Sequence, residues 1–138
     1  MRRLVLVLLV LLLVSWFGAA QQAETQGHTT SARARGKVLF QQYCASCHAD
    51  DGKGAGPAAF AFKVQPPDLT ELSRQNHGKF PRERVVQAIR GDRRQSAHGS
   101  TDMPVWGPVF LALTGEKQVE VEKLISDLAE YIKSVQVK

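Results

Sequence analysis

The clearest pattern of apolar and polar positions lies between residues 116 and 135. Apolar side chains recur there at intervals of three and four residues, which places them along one face of an α-helix. These side chains are Val121, Leu124, Ile125, Leu128, Ile132 and Val135. We predict an amphipathic helix over 116–135 with Thr114 as its cap, and we expect Asp127, Glu130 and Lys133 on its solvated side.

Three shorter helices are predicted upstream. Residues 33–43 lack proline, are rich in helix formers and carry apolar side chains near helical spacing. A short helix over 69–75 follows Asp68, which forms a capping-box pattern with Glu71. Another helix is predicted over 81–91, because proline suits the first helical position and glycine readily ends a helix.

Long loops separate these helices. Glycines and prolines punctuate residues 49–68, and the loop 92–107 leads into a short apolar turn over 108–113. No alternating pattern typical of a β-strand reaches a useful length. The sequence therefore predicts an all-α domain with long loops, whose own side chains can bury only a modest core.

The N-terminal segment has the features of a secretory signal peptide. Two arginines precede an uninterrupted apolar run over 4–14, and small residues follow. We predict a signal peptide over 1–20, a flexible polar linker over 21–32 and the folded domain over 33–138. Cleavage would lower the formal net charge from +5 to +3, through loss of the two arginines, and leave a periplasmic or otherwise exported protein. An uncleaved segment would instead anchor the protein to a membrane.

The motif Cys44-Ala45-Ser46-Cys47-His48 contains both cysteines of the chain. On one helical turn, the two thiols and the imidazole point to the same side. Sulfurs at this spacing can form thioethers with the vinyl groups of a porphyrin, while the neighbouring imidazole binds the iron. We therefore predict one covalent haem c (heme c), attached through Cys44 and Cys47 and ligated by His48.

Three other interpretations of the motif are a thioredoxin-like redox pair, half of a zinc site and a structural disulfide. A zinc site needs two further Cys or His ligands at short spacing, and the chain has no other cysteine. A thioredoxin-like motif follows a buried strand, whereas the residues before Cys44 have a helical pattern. Haem attachment is the favoured interpretation.

The haem motif, the glycine-rich loop and the terminal amphipathic helix follow one another along the chain as they do in the class I cytochrome c family, which this sequence resembles. The resemblance covers roughly residues 33–135. It implies a small cytochrome c-like domain, with helices and long loops wrapped around one covalently bound haem. Besides the haem motif and the terminal helix, the residues that carry the resemblance are Gly36, Phe40, Pro57, Met103 and Pro104.

The resemblance also implies roles for individual residues. In that family the first and last helices cross beside the haem, with a glycine and aromatic side chains at the crossing. A loop proline offers its backbone carbonyl to the proximal imidazole, and the resemblance implies Pro57 for this role. Such a hydrogen bond fixes the imidazole tautomer and strengthens its bond to iron. The implied crossing residues are Gly36, Phe40, Leu128 and Tyr131.

Met103 is predicted to be the second axial ligand of the iron. A thioether suits ferrous iron, and the only other methionine is the initiator. A position in a loop and before Pro104, rather than on an apolar helical face, also favours this role. His98, His77 and an open sixth position are the alternatives.

Three aromatic side chains are candidates for walls of the haem pocket. They are Trp106, Phe60 and Phe62. Trp106 could also donate its N–H to a haem propionate. The alternative for each is an ordinary place in the protein core.

An iron ligated on both faces has no open position for a substrate, so we expect one-electron transfer rather than catalysis. The sequence thus predicts an exported mono-haem electron carrier that is not an enzyme. One alternative is a fixed haem subunit of a larger respiratory or dehydrogenase complex. Another is a catalytic or sensor haem with five-coordinate iron.

Charge is distributed unevenly along the chain. Residues 33–94 contain twelve Lys and Arg against six Asp and Glu, a net +6, whereas residues 114–138 contain four against five, a net −1. We expect redox protein partners with acidic docking surfaces, with association with a membrane complex as a further option. Nucleic acid is not an expected partner of an exported protein.

Overall fold

The computed structural model describes residues 31–91 and 103–137. The predicted signal peptide, most of the predicted linker and His98 lie outside these residues. Residues 31 and 32 are already helical and Ala32 is buried, so the end of the predicted linker belongs to the first helix. In the two described ranges, no helix is long and apolar enough to cross a membrane.

Five α-helices follow one another in the part of the chain that the structure describes. They are α1 (described over residues 31–43), α2 (Ala45–His48), α3 (Arg82–Arg90), α4 (Trp106–Leu113) and α5 (Gln118–Ser134). Short 3₁₀ turns at Ala59–Ala61, Leu69–Glu71 and Arg74–Asn76 lie between α2 and α3. No β-strand occurs among the described residues, and the prediction of an all-α fold is confirmed.

The apolar stripe of α5 forms the centre of the core, as its periodicity predicts. Val121, Ile125, Leu128 and Ile132 are all buried on this helix. Burying a side chain of this size contributes roughly 1.5–3 kcal/mol, so the stripe is a main source of stability. Buried partners from α1, α3 and α4 are Phe40, Val85, Ile89 and Phe110.

Helix α1 crosses α5 at Gly36. A Cβ atom on Gly36 would overlap the backbone carbonyl of Asp127. The backbones of α1 and α5 therefore approach more closely than a residue with a side chain at position 36 would allow. Beside this contact, the rings of Phe40 and Tyr131 lie 5.1 Å apart between centroids. The crossing that the resemblance implied is therefore present, with Leu128 fully buried next to it.

The structure corrects the prediction that Asp127 lies on the solvated side of α5. Its carboxylate is buried rather than solvated. Arg35 on α1 donates to it through two nitrogens, with Nε 2.6 Å and Nη2 2.9 Å from the two carboxylate oxygens. The prediction was wrong because the α1 crossing covers a flank of α5 that periodicity alone assigns to solvent, and the guanidinium compensates the buried charge.

The predicted boundaries around α4 also need correction. The helix begins at Trp106 rather than at Pro108, which lies in its first turn, where a missing N–H costs no helical hydrogen bond. Thr114 does not cap α5. Its hydroxyl donates to the carbonyl of Phe110, 2.9 Å away, and so closes the end of α4.

The segment predicted as a helix over 69–75 is instead a pair of 3₁₀ turns. Asp68 caps the first turn, with its carboxylate 2.8 Å from the Thr70 backbone nitrogen and 2.6 Å from the Thr70 hydroxyl. Glu71 does not complete a capping box, since its carboxylate pairs with Arg74. The helix predicted over 81–91 is present as α3 (Arg82–Arg90), with Pro81 and Gly91 as its caps. Pro81 is therefore the N-cap residue and not the first helical position.

Candidate haem attachment site

The haem motif lies where α1 passes into α2. The Cys44 N–H donates to the carbonyl of Phe40 (2.8 Å), and the His48 N–H donates to the carbonyl of Cys44 (2.9 Å), so the backbone stays helical through the motif. The two cysteines are therefore three residues apart on one turn, and His48 follows on the same side. Both thiols are free and partly buried.

The Cys44 thiol differs from the reactive thiol of a redox dithiol. Burial, with a smaller contribution from the neighbouring Cys47, raises the pKa of the Cys44 thiol to about 12. A reactive dithiol needs the opposite, because the thiolate is the attacking species. The raised pKa of Cys44 therefore does not favour the thioredoxin-like interpretation. In the two described ranges, no three His, Cys, Asp or Glu side chains form a group that could hold a metal ion.

His48 is buried, with its ring held by a backbone carbonyl. Its Nδ1 atom lies 3.3 Å from the carbonyl oxygen of Pro67. Burial lowers the pKa of His48, and this effect outweighs the opposing influence of the Pro67 carbonyl. The neutral ring donates its Nδ1–H to Pro67 and leaves the lone pair of Nε2 for a metal.

Pro67, and not Pro57, supplies this carbonyl. Pro57 is exposed and follows Gly56, whose N–H donates to the carbonyl of Cys47 (3.0 Å). The assignment of Pro57 to the proximal hydrogen bond is therefore wrong. The physical reason is that the glycine-rich loop lies against the motif backbone at Gly56 and continues past it, so that a later proline reaches the imidazole.

The glycine-rich loop is fastened to the motif by its own backbone. The N–H groups of Gly54 and Ala58 donate to the carbonyls of His48 (2.9 Å) and Ser46 (2.8 Å). Gly54 has a φ of 81°, and a Cβ atom there would overlap the carbonyl of Pro66. Gly54 is not among the site residues predicted from the sequence. The alternation of glycines at 52, 54 and 56 is the signal that could have found it.

The loop turns away from α2 at a strained residue. Ala49 follows His48 directly and has φ 63° and ψ 163°, a region that is essentially restricted to glycine. This conformation ends α2, and the Ala49 carbonyl then accepts from the Gly52 N–H at 3.1 Å. The strain therefore lies at the point where the chain reverses to cover the imidazole.

The Met103 side chain is 42% exposed. Three residues later, Trp106 contacts Tyr43, which immediately precedes the motif, with ring centroids 5.5 Å apart. Trp106 also stacks on Phe110 at 5.7 Å. This aromatic contact links the Met103 segment to the end of α1. The iron-binding role of Met103 and the cofactor-binding role of Trp106 stay predictions.

Large apolar side chains remain uncovered on the loop side of the motif. Phe60 is 90% exposed and Val64 is 56% exposed, whereas Phe62 is partly buried. Phe60 and Phe62 line an open cavity of about 440 Å³ together with Gly56. A flat apolar group would cover such side chains. Two adjacent thiols and a neutral imidazole are the donor set that a covalent haem requires, so the residues present fit this cofactor.

The comparisons with known proteins agree with this geometry. The family model described as cytochrome c matches residues 33–136, a range that contains the motif, the loop and all of α3, α4 and α5. No curated protein and no solved structure gives a significant match. The family match covers well over half of the chain. On this evidence, the chain belongs to the cytochrome c family.

Proposed function

We propose that this protein is an exported mono-haem c-type cytochrome that carries single electrons between redox partners and is not an enzyme. Membership of the cytochrome c family supports haem-based electron transfer. The observation that carries the proposal is the single turn of helix that presents Cys44, Cys47 and His48 together, with the His48 ring turned so that Nε2 is available.

A haem c held by Cys44 and Cys47 supplies an iron that changes between its ferric and ferrous states. The chain's own residues set the surroundings of that change. The Pro67 carbonyl holds the His48 Nδ1–H, which fixes the tautomer and makes the ring a stronger donor. Burial of His48 keeps water away from the ring.

Met103 is our proposal for the second axial ligand. It is supported by the preference of ferrous iron for a thioether and by the Trp106–Tyr43 contact, which ties the Met103 segment to the motif. In the alternative with five-coordinate iron, the position proposed for Met103 is open and admits an external ligand. His77, the described alternative, is exposed in a left-handed turn after Arg74–Asn76.

Spectra of the haem-loaded protein test this proposal. Residues 21–138 are expressed with a periplasmic haem-attachment system, as wild type, Met103→Ala and the control Val105→Ala, which alters an exposed side chain of the same segment. We expect low-spin spectra for wild type and the control. Met103→Ala is expected to become high-spin and to bind carbon monoxide.

Two other outcomes would contradict this assignment. Identical spectra for wild type and Met103→Ala would remove Met103 from the iron. A wild-type ferrous form that is high-spin and binds carbon monoxide at once would favour the catalytic or sensor alternative over the carrier.

The partner is proposed to be a redox protein with an acidic docking surface. Exposed cations on the described part of the chain, among them Lys79 and Arg84, support this proposal. Electron transfer to such a partner should slow as ionic strength rises from 0.01 to 0.15 M, because the Debye length shrinks from about 30 Å to about 8 Å. Stable co-purification with a membrane complex would instead favour the fixed-subunit alternative.

Localisation is proposed to be periplasmic or otherwise exported. It is supported by the apolar run over 4–14 and by the haem motif, because c-type haem is attached outside the cytoplasm in bacteria. Cell fractionation and N-terminal sequencing of the mature protein test it. A mature N-terminus at residue 21 is the expected result, and an uncleaved Met1 in the membrane fraction would indicate an anchor.

A further inference from the structure

The side chain of Gln136 makes three hydrogen bonds just after α5. Its Oε1 accepts from the backbone N–H of Ser73 (2.8 Å), while its Nε2 donates to the carbonyls of Leu69 (2.7 Å) and Ile132 (2.8 Å). The backbone N–H of Val137 adds a bond to the carbonyl of Thr70 (3.0 Å). We name the bonds from Gln136 and Val137 to the segment 69–73 the Gln136 clamp.

The Gln136 clamp holds the segment that presents the proximal carbonyl. Pro67 accepts from the ring of His48, and the clamped segment begins only two residues later at Leu69. Between them, Asp68 caps the turn through Thr70, which is itself buried. From the other side, the N–H of Leu69 donates to the carbonyl of Gly52 at 2.8 Å. The Pro67 carbonyl is thus fixed relative to both the loop and α5.

We propose that Gln136 is a positioning residue for the axial imidazole. It acts through the segment 69–73 and the Pro67 carbonyl, and it holds that carbonyl where it accepts the His48 Nδ1–H. This inference rests on the proposed function, because it concerns the ligand strength of His48 toward a haem iron. Long-range contacts argue for it: the two segments that Gln136 joins are more than sixty residues apart in the chain.

The expected consequence of losing the clamp follows from the chemistry of the hydrogen bond. A firmly held acceptor increases the basicity of the imidazole and so favours ferric iron. Without the clamp the carbonyl moves more freely, the His48 ring N–H opens to solvent more often, and the reduction potential rises. Loss of one neutral hydrogen bond of ordinary net strength should make solvent exchange of the protected N–H about tenfold faster.

The experiment compares Gln136→Leu with Gln118→Leu in the haem-loaded chain. Gln118 is a suitable control because it lies at the other end of α5, is exposed and, among the described residues, has its side chain bonded to Glu122 of the same helix. Solvent exchange of the His48 ring N–H and of the Ser73 amide is measured by NMR, and the reduction potential by redox titration. We expect exchange at both sites about tenfold faster and a higher potential in Gln136→Leu alone.

A double-mutant cycle separates positioning from general destabilisation. Pro67→Ala keeps the carbonyl but loosens the backbone that carries it. If Gln136 acts through Pro67, the effects of Gln136→Leu and Pro67→Ala on ring exchange will be less than additive. Additive effects would overturn the proposal. If Gln136→Leu does not fold, Gln136→Glu replaces it, since the carboxylate keeps the acceptor for Ser73 but loses both donors.

The outcomes distinguish this inference from the proposed function. If His48 of wild type does not ligate a haem iron, the proposed function fails, whatever Gln136 does. If His48 ligates the iron but Gln136→Leu matches Gln118→Leu in ring exchange and potential, the positioning role of Gln136 fails and the carrier function stands.

Discussion

The α1–α5 crossing and the loop side of the haem motif are held together in different ways. At the crossing, Gly36 lets two backbones touch, and Phe40 and Leu128 are almost completely buried. On the loop side, residues 49–67 are fastened to α2 largely by backbone hydrogen bonds, and Phe60 remains 90% exposed. Side chains complete the core at the crossing, whereas the loop side presents apolar surface that the described residues do not cover.

This difference separates what the chain stabilises by itself from what its cofactor is expected to stabilise. Changes at the crossing should affect folding whatever the cofactor does, because every contact there is between protein groups. Changes on the loop side should depend on the haem or on local backbone strain. The following substitutions test this division, from the largest expected effect to the smallest.

Gly36→Ala should destabilise the protein most. The added Cβ would overlap the Asp127 carbonyl, so α1 and α5 must separate and lose core packing. We expect a loss of about 3 kcal/mol or more in the free energy of unfolding, measured by denaturant titration. Lys37→Ala, at the exposed neighbouring position, is the control and should change stability by less than about 0.5 kcal/mol. Equal stabilities for the two variants would mean that the crossing is not as close as described.

Phe60→Ala should have a large effect only if haem covers the loop side. In the haem-loaded protein we expect a loss of about 2 kcal/mol in the free energy of unfolding, because the substitution removes the Phe60 ring that would pack against the haem. Val119→Ala is the matched control: Val119 is 83% exposed on α5, away from the motif in sequence, and its truncation should be nearly neutral. If Phe60→Ala is equally neutral, the apolar surface of the loop is not part of the haem pocket.

Ala49→Gly should act in the opposite direction and stabilise the protein. Glycine adopts φ 63° and ψ 163° without the strain that alanine carries there. Relief of that strain should exceed the entropy cost of glycine and give a net gain of about 1 kcal/mol in thermal or denaturant unfolding. Ala55→Gly, an exposed alanine of the same loop, should instead be neutral or slightly destabilising. A loss of stability in Ala49→Gly would show that Ala49 is not strained.

Asp68→Asn should produce a small, pH-dependent effect. The hydrogen bond from the Thr70 hydroxyl lowers the pKa of Asp68, with a further contribution from the Thr70 backbone N–H. The stability that Asp68 contributes is present above its unfolded pKa and is lost as the pH falls through its lower folded pKa. As the pH falls through the folded pKa of Asp68, the wild type should therefore lose slightly more stability than Asp68→Asn, because solvent screening keeps the contribution of this exposed carboxylate small. Parallel stability curves for the two proteins would contradict this role.

Much of the helical frame could be predicted from the sequence, because the buried face of a helix appears in the sequence as apolar residues every three or four positions. The apolar stripe of α5 became the centre of the core, and α3 lies between the predicted signals Pro81 and Gly91. Asp127 could not be predicted as buried, since its environment depends on where α1 crosses. The Asp127 carboxylate is buried where it pairs with Arg35 of α1.

The candidate site could be predicted in part. The motif from Cys44 to His48 is local, so its helical geometry followed from spacing alone. The proximal carbonyl is not local, because it depends on how the loop folds back. Pro57 and Pro67 both follow the motif, and only the bonds that the loop makes to α2 decide that Pro67 faces His48. Gln136 is farther still in sequence, and no pattern connects it to the motif.

The most direct test of covalent haem attachment is the intact mass of the matured wild-type protein after extraction with acidified acetone. Thioether bonds from Cys44 and Cys47 predict a coloured polypeptide that keeps the added mass of one haem through the extraction, and a Cys44→Ser, Cys47→Ser double variant that does not. A colourless wild-type chain with the mass of its amino acids alone would contradict the assignment of this protein as a c-type electron carrier.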